Sequence, residues 1–316
     1  MEINYDAQSR MVRPFPAIRK LGAVSPNQES SPFSWRFPGG EERLMRLELA
    51  DRSIRSGFTE PSFAVIRDCE TGRILSRVGE GGYYHSFFKN GDRACVLCTM
   101  PHRGTASDEI WIYESSDLLS WRGRRLLSRS GWQFYNTSLT LGPEGYLLLL
   151  EAGAPAKAVG DHPFTMFFAR SEDMIHWTFL PDDTGYPMDR YAGGPYLRYS
   201  RGWYYLVLLE QLPQIRYASY IYRSRDLRVW EVGAYNPVLM PGQEDKAISP
   251  QAHDLDPAAR ESIARGFISS ASDFDMCGFR GKTVITYNAG NQLGFAYIAQ
   301  AEYDGEPEDF LEAWFL

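Results

Sequence analysis

Basic runs are missing from this chain, and so are long apolar ones. Lys and Arg form no long run along it and the formal net charge is −7, which argues against nucleic acid and anionic membrane surfaces as partners. No apolar stretch approaches the ~20 residues that a membrane-spanning helix needs. The opening MEINYDAQSRMVRPFP has neither the basic start nor the apolar core of a signal peptide. Cysteine is scarce: Cys69, Cys95, Cys98 and Cys277 are all there is. Cys95 and Cys98 have C-x-x-C spacing, but they lie in one apolar strand-like run, where an odd offset sends them to opposite faces. That argues against a zinc knuckle or a redox pair, and all four read as buried, reduced thiols. The expectation is a soluble, cytoplasmic protein whose oligomeric state stays open.

What the chain has in quantity is hairpins. It is 44% hydrophobic and 14% aromatic over 316 residues, enough to bury a full core. Ser272 to Tyr287, SDFDMCGFRGKTVITY, reads as one β-hairpin turning at Arg280-Gly281. Three more stand upstream: His85 to Thr99 around Asn90-Gly91, Asn136 to Glu151 around Gly142 to Gly145, and Ala192 to Glu210 around Arg201-Gly202. A tag, S-x-D-[LM]-x-x-W, occurs at Ser115 to Trp121, Ser171 to Trp177 and Ser224 to Trp230. Its period of about 55 residues is the size of a four-stranded propeller blade. Leu44 to Leu49, Ser62 to Asp68 and Arg73 to Val78 supply a further blade. The reading is all-β: a five-bladed β-propeller in one domain over residues 1–316. Residues 1–43, broken by prolines and Gly39-Gly40, read as an irregular N-terminal arm. Residues 254–267 read as a helical insertion between blades, with Asp256 as cap, Pro257 at the first helical position and Gly266 as stop.

In a propeller the first strand of each blade lines the central channel, and the starts of these strands converge on one mouth. The last residue of the hairpin-paired second strand sits at the same mouth. This places His85, Asn136, Asp189, Arg190, Asp273 and Asp275 on first-strand starts, with Glu151 and Glu210 beside them and Trp132, Tyr135 and Tyr191 as aromatic walls. Asp273 and Asp275 are two apart and therefore leave a regular strand on one face, at a cost of roughly 1 kcal/mol that folding alone would avoid. Aromatic faces beside carboxylates suit a sugar: rings stack on the sugar ring, and two carboxyls in different environments divide acid and base work. The tags read as structural, with Asp117, Asp173 and Asp226 holding turns and the tryptophans packing between blades.

Together, the tags, the hairpins and the Asp273/Asp275 strand resemble the five-bladed β-propeller glycoside hydrolases of families 43 and 32. Ser272 to Cys277, Gly281 to Tyr287, Gly290-Asn291-Gln292 and Ala301 to Gly305 look like a family-43-like branch of that superfamily. Trp132, Tyr135-Asn136-Thr137-Ser138 and Asp189-Arg190-Tyr191 look like it as well. The resemblance covers roughly residues 80 to 316 and implies a carbohydrate substrate. Two departures matter. Family 43 carries its general acid as a Glu directly before Gly-Pro or Ala-Pro on an inner strand, and the matching Gly193-Gly194-Pro195 has no carboxylate. Its general base is an Asp near the start of the first blade, where only Asp6 and, more distantly, Glu60-Pro61 offer themselves.

The expectation is therefore a glycoside hydrolase for a small oligosaccharide or glycoside, with Glu210 as a general acid of raised pKa and Asp273 or Asp275 as its partner. His85, Trp132, Tyr135, Asn136, Glu151, Asp189, Arg190 and Tyr191 would bind substrate. The alternatives are a sugar-binding propeller without catalysis, which the missing Glu-Gly-Pro favours, and a glycoside phosphorylase, for which Arg190, Arg216 and His85 are few cations. No cofactor is expected, a channel-bound calcium ion being the one open alternative.

Overall fold

The computed structural model describes residues 16–50, 62–100, 107–162, 164–214 and 216–315. Its strands run in antiparallel meanders. Strand β1 (Arg19–Ser25) is followed by a first meander, β2 (Gln28–Arg36), β3 (Glu42–Leu49), β4 (Ala64–Asp68) and β5 (Ile74–Val78). The second consists of β6 (Tyr83–Asn90), β7 (Arg93–Thr99), β8 (Glu109–Ser115) and β9 (Arg122–Ser128), and the third of β10 (Gln133–Gly142), β11 (Gly145–Ala154), β12 (Thr165–Ser171) and β13 (Thr178–Phe179). The fourth meander is β14 (Ala192–Ser200), β15 (Trp203–Leu212), β16 (Arg216–Ser224) and β17 (Glu231–Val232). The fifth, β18 (Ser270–Phe279), β19 (Lys282–Asn291) and β20 (Phe295–Asp304), takes its fourth strand from the other end of the chain, because β1 pairs with β20. A lone parallel pair, Tyr217 with Ser270, joins the fourth and fifth meanders into one eight-stranded sheet.

Residues 19–25 and 28–36 are therefore strands rather than parts of an irregular arm. Pro32 hides this in the sequence, since proline usually interrupts a ladder. But β2 is the edge strand of its sheet, where a missing N–H donor is tolerated. The helix Pro257–Arg265 lies between β17 and β18, with Asp256 Oδ1 accepting the Ala259 N–H at 2.7 Å and Gly266 at its end.

The apolar runs show how the meanders stack. Leu147 to Leu150 of β11 are all buried, yet alternate members serve different neighbours. Leu148 and Leu150 pack with Ile110 and Ile112 of β8, whereas Leu147 and Leu149 pack with Leu206 and Leu208 of β15. A sheet covered on both faces needs a continuous apolar run instead of an alternating one, and each such leucine contributes roughly 1.5–3 kcal/mol by burial.

Each tag is a turn with two anchors. In the first, Ser115 Oγ accepts the Leu118 N–H at 2.9 Å, and Asp117 Oδ1 accepts those of Leu119 and Ser120 at 2.8 Å. The same bonds recur from Ser171 and Asp173, and from Ser224 and Asp226. The middle residue, Leu118, Met174 or Leu227, is buried at a left-handed φ of +61° to +64°. Trp121 then donates to Ser76 Oγ of the preceding meander at 3.0 Å, and Trp230 stacks on Phe168 of its own predecessor. The tags thus fix the outer turn of one unit and fasten it to the unit before.

Candidate active site

Every first strand is irregular near its start. The ladder skips between Gln28 and Ser30, Tyr83 and Ser86, Phe134 and Thr137, Gly193 and Tyr196, and Ser272 and Asp275. Glu29, Tyr84, Gly194 and Asp273 fall at these bulges with φ of +46°, +56°, +54° and +52°. A bulge re-aims its side chain out of the ladder, and here the re-aimed groups converge.

They surround two connected cavities. The larger, about 650 Å³, runs along all five first strands and is lined by His85, Asn136, Asp273 and Asp275 among others. The smaller, about 300 Å³, is the mouth. Its walls are Tyr84, Tyr135, Phe164, Tyr191 and Phe295, and its carboxyls are Glu29, Glu151 and Asp273. Glu29, Asn136, Gly194 and Asp273 line both. Tyr135 meets Tyr84 edge-on at 5.5 Å and Phe164 at 4.7 Å, so the aromatic wall is held by its own ring contacts.

Glu151 is the most confined of the three acids, at 2% exposure. Odd positions of β11 face the fourth meander, so the run Leu147-Leu149-Glu151 carries its carboxyl across to β14. There Oε2 accepts the Gly194 N–H at 2.8 Å and the Asn136 amide at 3.2 Å. Burial pushes its pKa up to about 8 against those two hydrogen bonds, and the neighbouring Asp273 adds to the rise. Asp273 approaches the same glycine: a Cβ at Gly194 would lie 2.9 Å from its Oδ1. The two carboxyls therefore both lie beside one backbone residue, at most about 9 Å apart. Asp273 Oδ2 accepts from Ser272 Oγ at 2.7 Å and Asn288 Nδ2 at 2.9 Å, and its pKa is raised by burial despite both donors.

Asp275 lines the larger cavity only. The bulge between Ser272 and Asp275 breaks the regular pleat on which a shared face was expected, so Asp273 turns to the mouth while Asp275 lies along the channel. Its Oδ1 accepts the Met276 N–H, Ser31 bonds the carboxyl from β2, and burial pushes its pKa to about 7. His85 donates from Nε2 to Gly79 O at 3.2 Å, and burial pushes its pKa down to about 4. Its ring is therefore neutral, with Nδ1 as the unprotonated nitrogen.

Four expected residues line neither cavity. Glu210 accepts Arg190 Nε at 2.8 Å and the Tyr222 hydroxyl, while Arg190 also holds the exposed Asp189 and the Tyr186 hydroxyl. The reason is register. Counted from its hairpin turn, Glu151 is six residues past Gly145, and the residue six past Trp203 is Leu209. Glu210 is one further on, and a slip of one turns a strand residue to the other face. Trp132 is buried, edge-on to Phe167 at 4.8 Å and covered by the Arg129 guanidinium, so it packs between strands.

Sequence reasoning missed Glu29, Tyr84, Phe164, Asn288 and Phe295. Glu29 and Tyr84 each stand at a bulge that no residue type announces. Asn288 could have been found by counting, since it is six residues past Lys282, the counterpart of Glu151 in the fifth meander. Asp6 and Glu60 lie outside the described residues. Among the described residues no group of three or more His, Cys, Asp or Glu side chains could hold a metal ion.

Over 95% of its length, and 96% of the other's, the chain superimposes on a solved structure described as a glycoside hydrolase, with a TM-score of 0.59 at 12% identity. A family 43 endo-arabinanase from Bacillus licheniformis matches over 89% of this chain and 96% of that one, with a TM-score of 0.50 at 12% identity. The chain has the fold of the family 43 and 32 glycoside hydrolases. A family 32 beta-fructofuranosidase from Bombyx mori shares this fold over 93% of the chain and 64% of its own, with a TM-score of 0.55 at 11% identity. No protein-family model and no curated protein matches the chain by sequence. A Cβ at Gly193 would stand 3.7 Å from Glu151 Oε2.

Proposed function

We propose that the chain is a five-bladed propeller that hydrolyses a small oligosaccharide or glycoside, with Glu151 as general acid and Asp273 as its carboxyl partner. The five-bladed reading is supported by five four-stranded meanders whose first strands pack in sequence, β2 on β6, β6 on β10, β10 on β14, β14 on β18 and β18 on β2. The observation that carries the chemistry is the placing of two unlike carboxyls beside Gly194, inside an aromatic mouth.

A carboxyl with a pKa of about 8 is protonated at neutral pH and can give its proton to the leaving-group oxygen as the glycosidic bond breaks. Asp273, facing two donors, carries the opposite duty, as base toward the attacking water or as nucleophile toward the anomeric carbon. The anomeric configuration of the first-formed product distinguishes these two. The aromatic walls supply stacking faces for a sugar ring, and a volume of about 300 Å³ suits a small glycoside rather than a long chain.

The test is hydrolysis of a panel of arabino-, xylo-, galacto- and fructo-configured glycosides, followed by Glu151→Gln on the best substrate. Turnover of unactivated glycosides should fall by roughly two to four orders of magnitude, and that of substrates with a good leaving group far less. Binding of a sugar without hydrolysis by the unaltered chain would replace the enzyme with a carbohydrate-binding propeller.

A further inference from the structure

Asn288 occupies in β19 the place that Glu151 occupies in β11, but it bears an amide. That amide is 6% exposed and makes two directed bonds. Its Nδ2 donates to Asp273 Oδ2 at 2.9 Å, and its Oδ1 accepts the Glu29 N–H at 3.0 Å. The two partners settle its orientation, because a backbone N–H needs an acceptor and a carboxylate needs a donor. Both partners sit at left-handed φ, Glu29 at +46° and Asp273 at +52°, conformations that residues with a side chain avoid. They also belong to different sheets: Glu29 to the first meander and Asp273 to the fifth, which pair no backbone with each other. At this seam Thr286 Oγ1 donates to Ser30 O at 3.1 Å, and Ser31 bonds Asp275. Side chains therefore hold the seam beside the mouth, and Asn288 alone of these touches a carboxyl of the mouth.

We propose that Asn288 is a positioning residue that locks the Glu29 backbone and the Asp273 carboxyl into one arrangement across the seam, its amide donor favouring the anionic, accepting form of Asp273. This rests on the assignment of Asp273 as partner to Glu151. The titratable groups that share the mouth with Asp273 are Glu29 from β2, Glu151 from β11, and Tyr84, Tyr135 and Tyr191. All are acids or phenols, and none of them favours the anion. Ser272 and Asn288 are the donors that oppose them, and only Asn288 comes from another strand.

Asn288→Asp separates the two bonds. It keeps an oxygen for the Glu29 N–H, replaces the donor to Asp273 by an acceptor, and adds a like charge; Asn288→Ala removes both bonds. On the full chain, three quantities are read: the acidic limb of kcat/KM on a glycoside the unaltered protein cleaves, the Asp273 carboxyl titration by carbon-13 NMR without substrate, and Tm. Asn288→Asp should move the limb and the titration up by about one pH unit or more, with Tm near that of the unaltered protein around pH 5. Asn288→Ala should move both less and lower Tm. If Asn288→Asp leaves the limb and the carboxyl titration in place, Asn288 is only a packing residue and the proposal is overturned. If the unaltered protein cleaves nothing on the panel, the hydrolase reading falls, while the NMR titration still decides the role of Asn288.

Discussion

Glu151 Oε2 accepts the backbone N–H of Gly194 at 2.8 Å, a hydrogen bond from the end of one meander's second strand to the start of the next meander's first. The family 43 pattern that this chain resembles carries a Glu directly before Gly-Pro, and here Gly193-Gly194-Pro195 has none. Glu151, from the neighbouring unit, borders that space, its Oε2 3.7 Å from where a Cβ at Gly193 would stand. Glycine at both positions makes this possible. A side chain at Gly193 would enter the space beside Glu151, and one at Gly194 would strike Asp273.

Glu151 should make the protein less stable as pH rises. Below about pH 4.3, the unperturbed Glu value, folded and unfolded chains both hold the proton. Between there and about 8 the unfolded chain releases it and the folded chain does not, so stability is lost progressively as pH climbs through that window, on the order of a few kcal/mol. Glu151→Gln abolishes this titration. Calorimetry should therefore find the variant more stable than the unaltered protein at pH 9 and no better at pH 4, whereas parallel Tm curves would show that Glu151 is not the buried acid described here. The basic limb of kcat/KM should fall near pH 8 for the same reason.

Gly194→Ala should cost both stability and activity. A Cβ there meets Asp273 Oδ1 at 2.9 Å and Asp273 N at 3.1 Å, at a φ of +54°. The left-handed backbone alone costs roughly 1–2 kcal/mol, and the contact displaces Asp273 as well, so kcat/KM should drop by at least about tenfold for a shift worth 1.4 kcal/mol or more. Gly202→Ala is the control, also at positive φ but with nothing within 4 Å of its Cβ. It should lower Tm and leave kcat/KM unchanged; equal activity losses in the two variants would remove Gly194 from the site.

Glu210→Gln should behave as a structural change. The substitution weakens the hydrogen bonds from Arg190 and Tyr222 and should cost roughly 1.5–3 kcal/mol in urea unfolding, the worth of a hydrogen bond to a charged group. Activity should stay within a few-fold. A hundredfold loss confined to unactivated glycosides would return the acid role from Glu151 to Glu210.

Much of the architecture was legible because it is locally encoded. Arg201-Gly202 and Arg280-Gly281 both take two consecutive positive φ values, the turn that matches strand twist. The tags were legible for the same reason, since Ser and Asp bind N–H groups two and three residues on. β1 and β2 were not, because β1 pairs with a strand at the far end of the chain and the edge position of Pro32 depends on that assembly.

For the site, residue type and strand position brought Tyr135, Asn136, Glu151, Tyr191 and Asp273 to the mouth. They could not separate Glu151 from Glu210, since both follow an apolar run and both end a second strand. By itself the sequence determined the hairpins, the tags, the helix and the supply of acids and aromatics, all set by neighbours a few residues apart. Only the tertiary structure decided which acids share a cavity, because that depends on one-residue registers, on five bulges, and on how adjacent sheets face each other. A single step along β15 is the distance between a residue that lines the mouth, Leu209, and one that is buried with an arginine, Glu210.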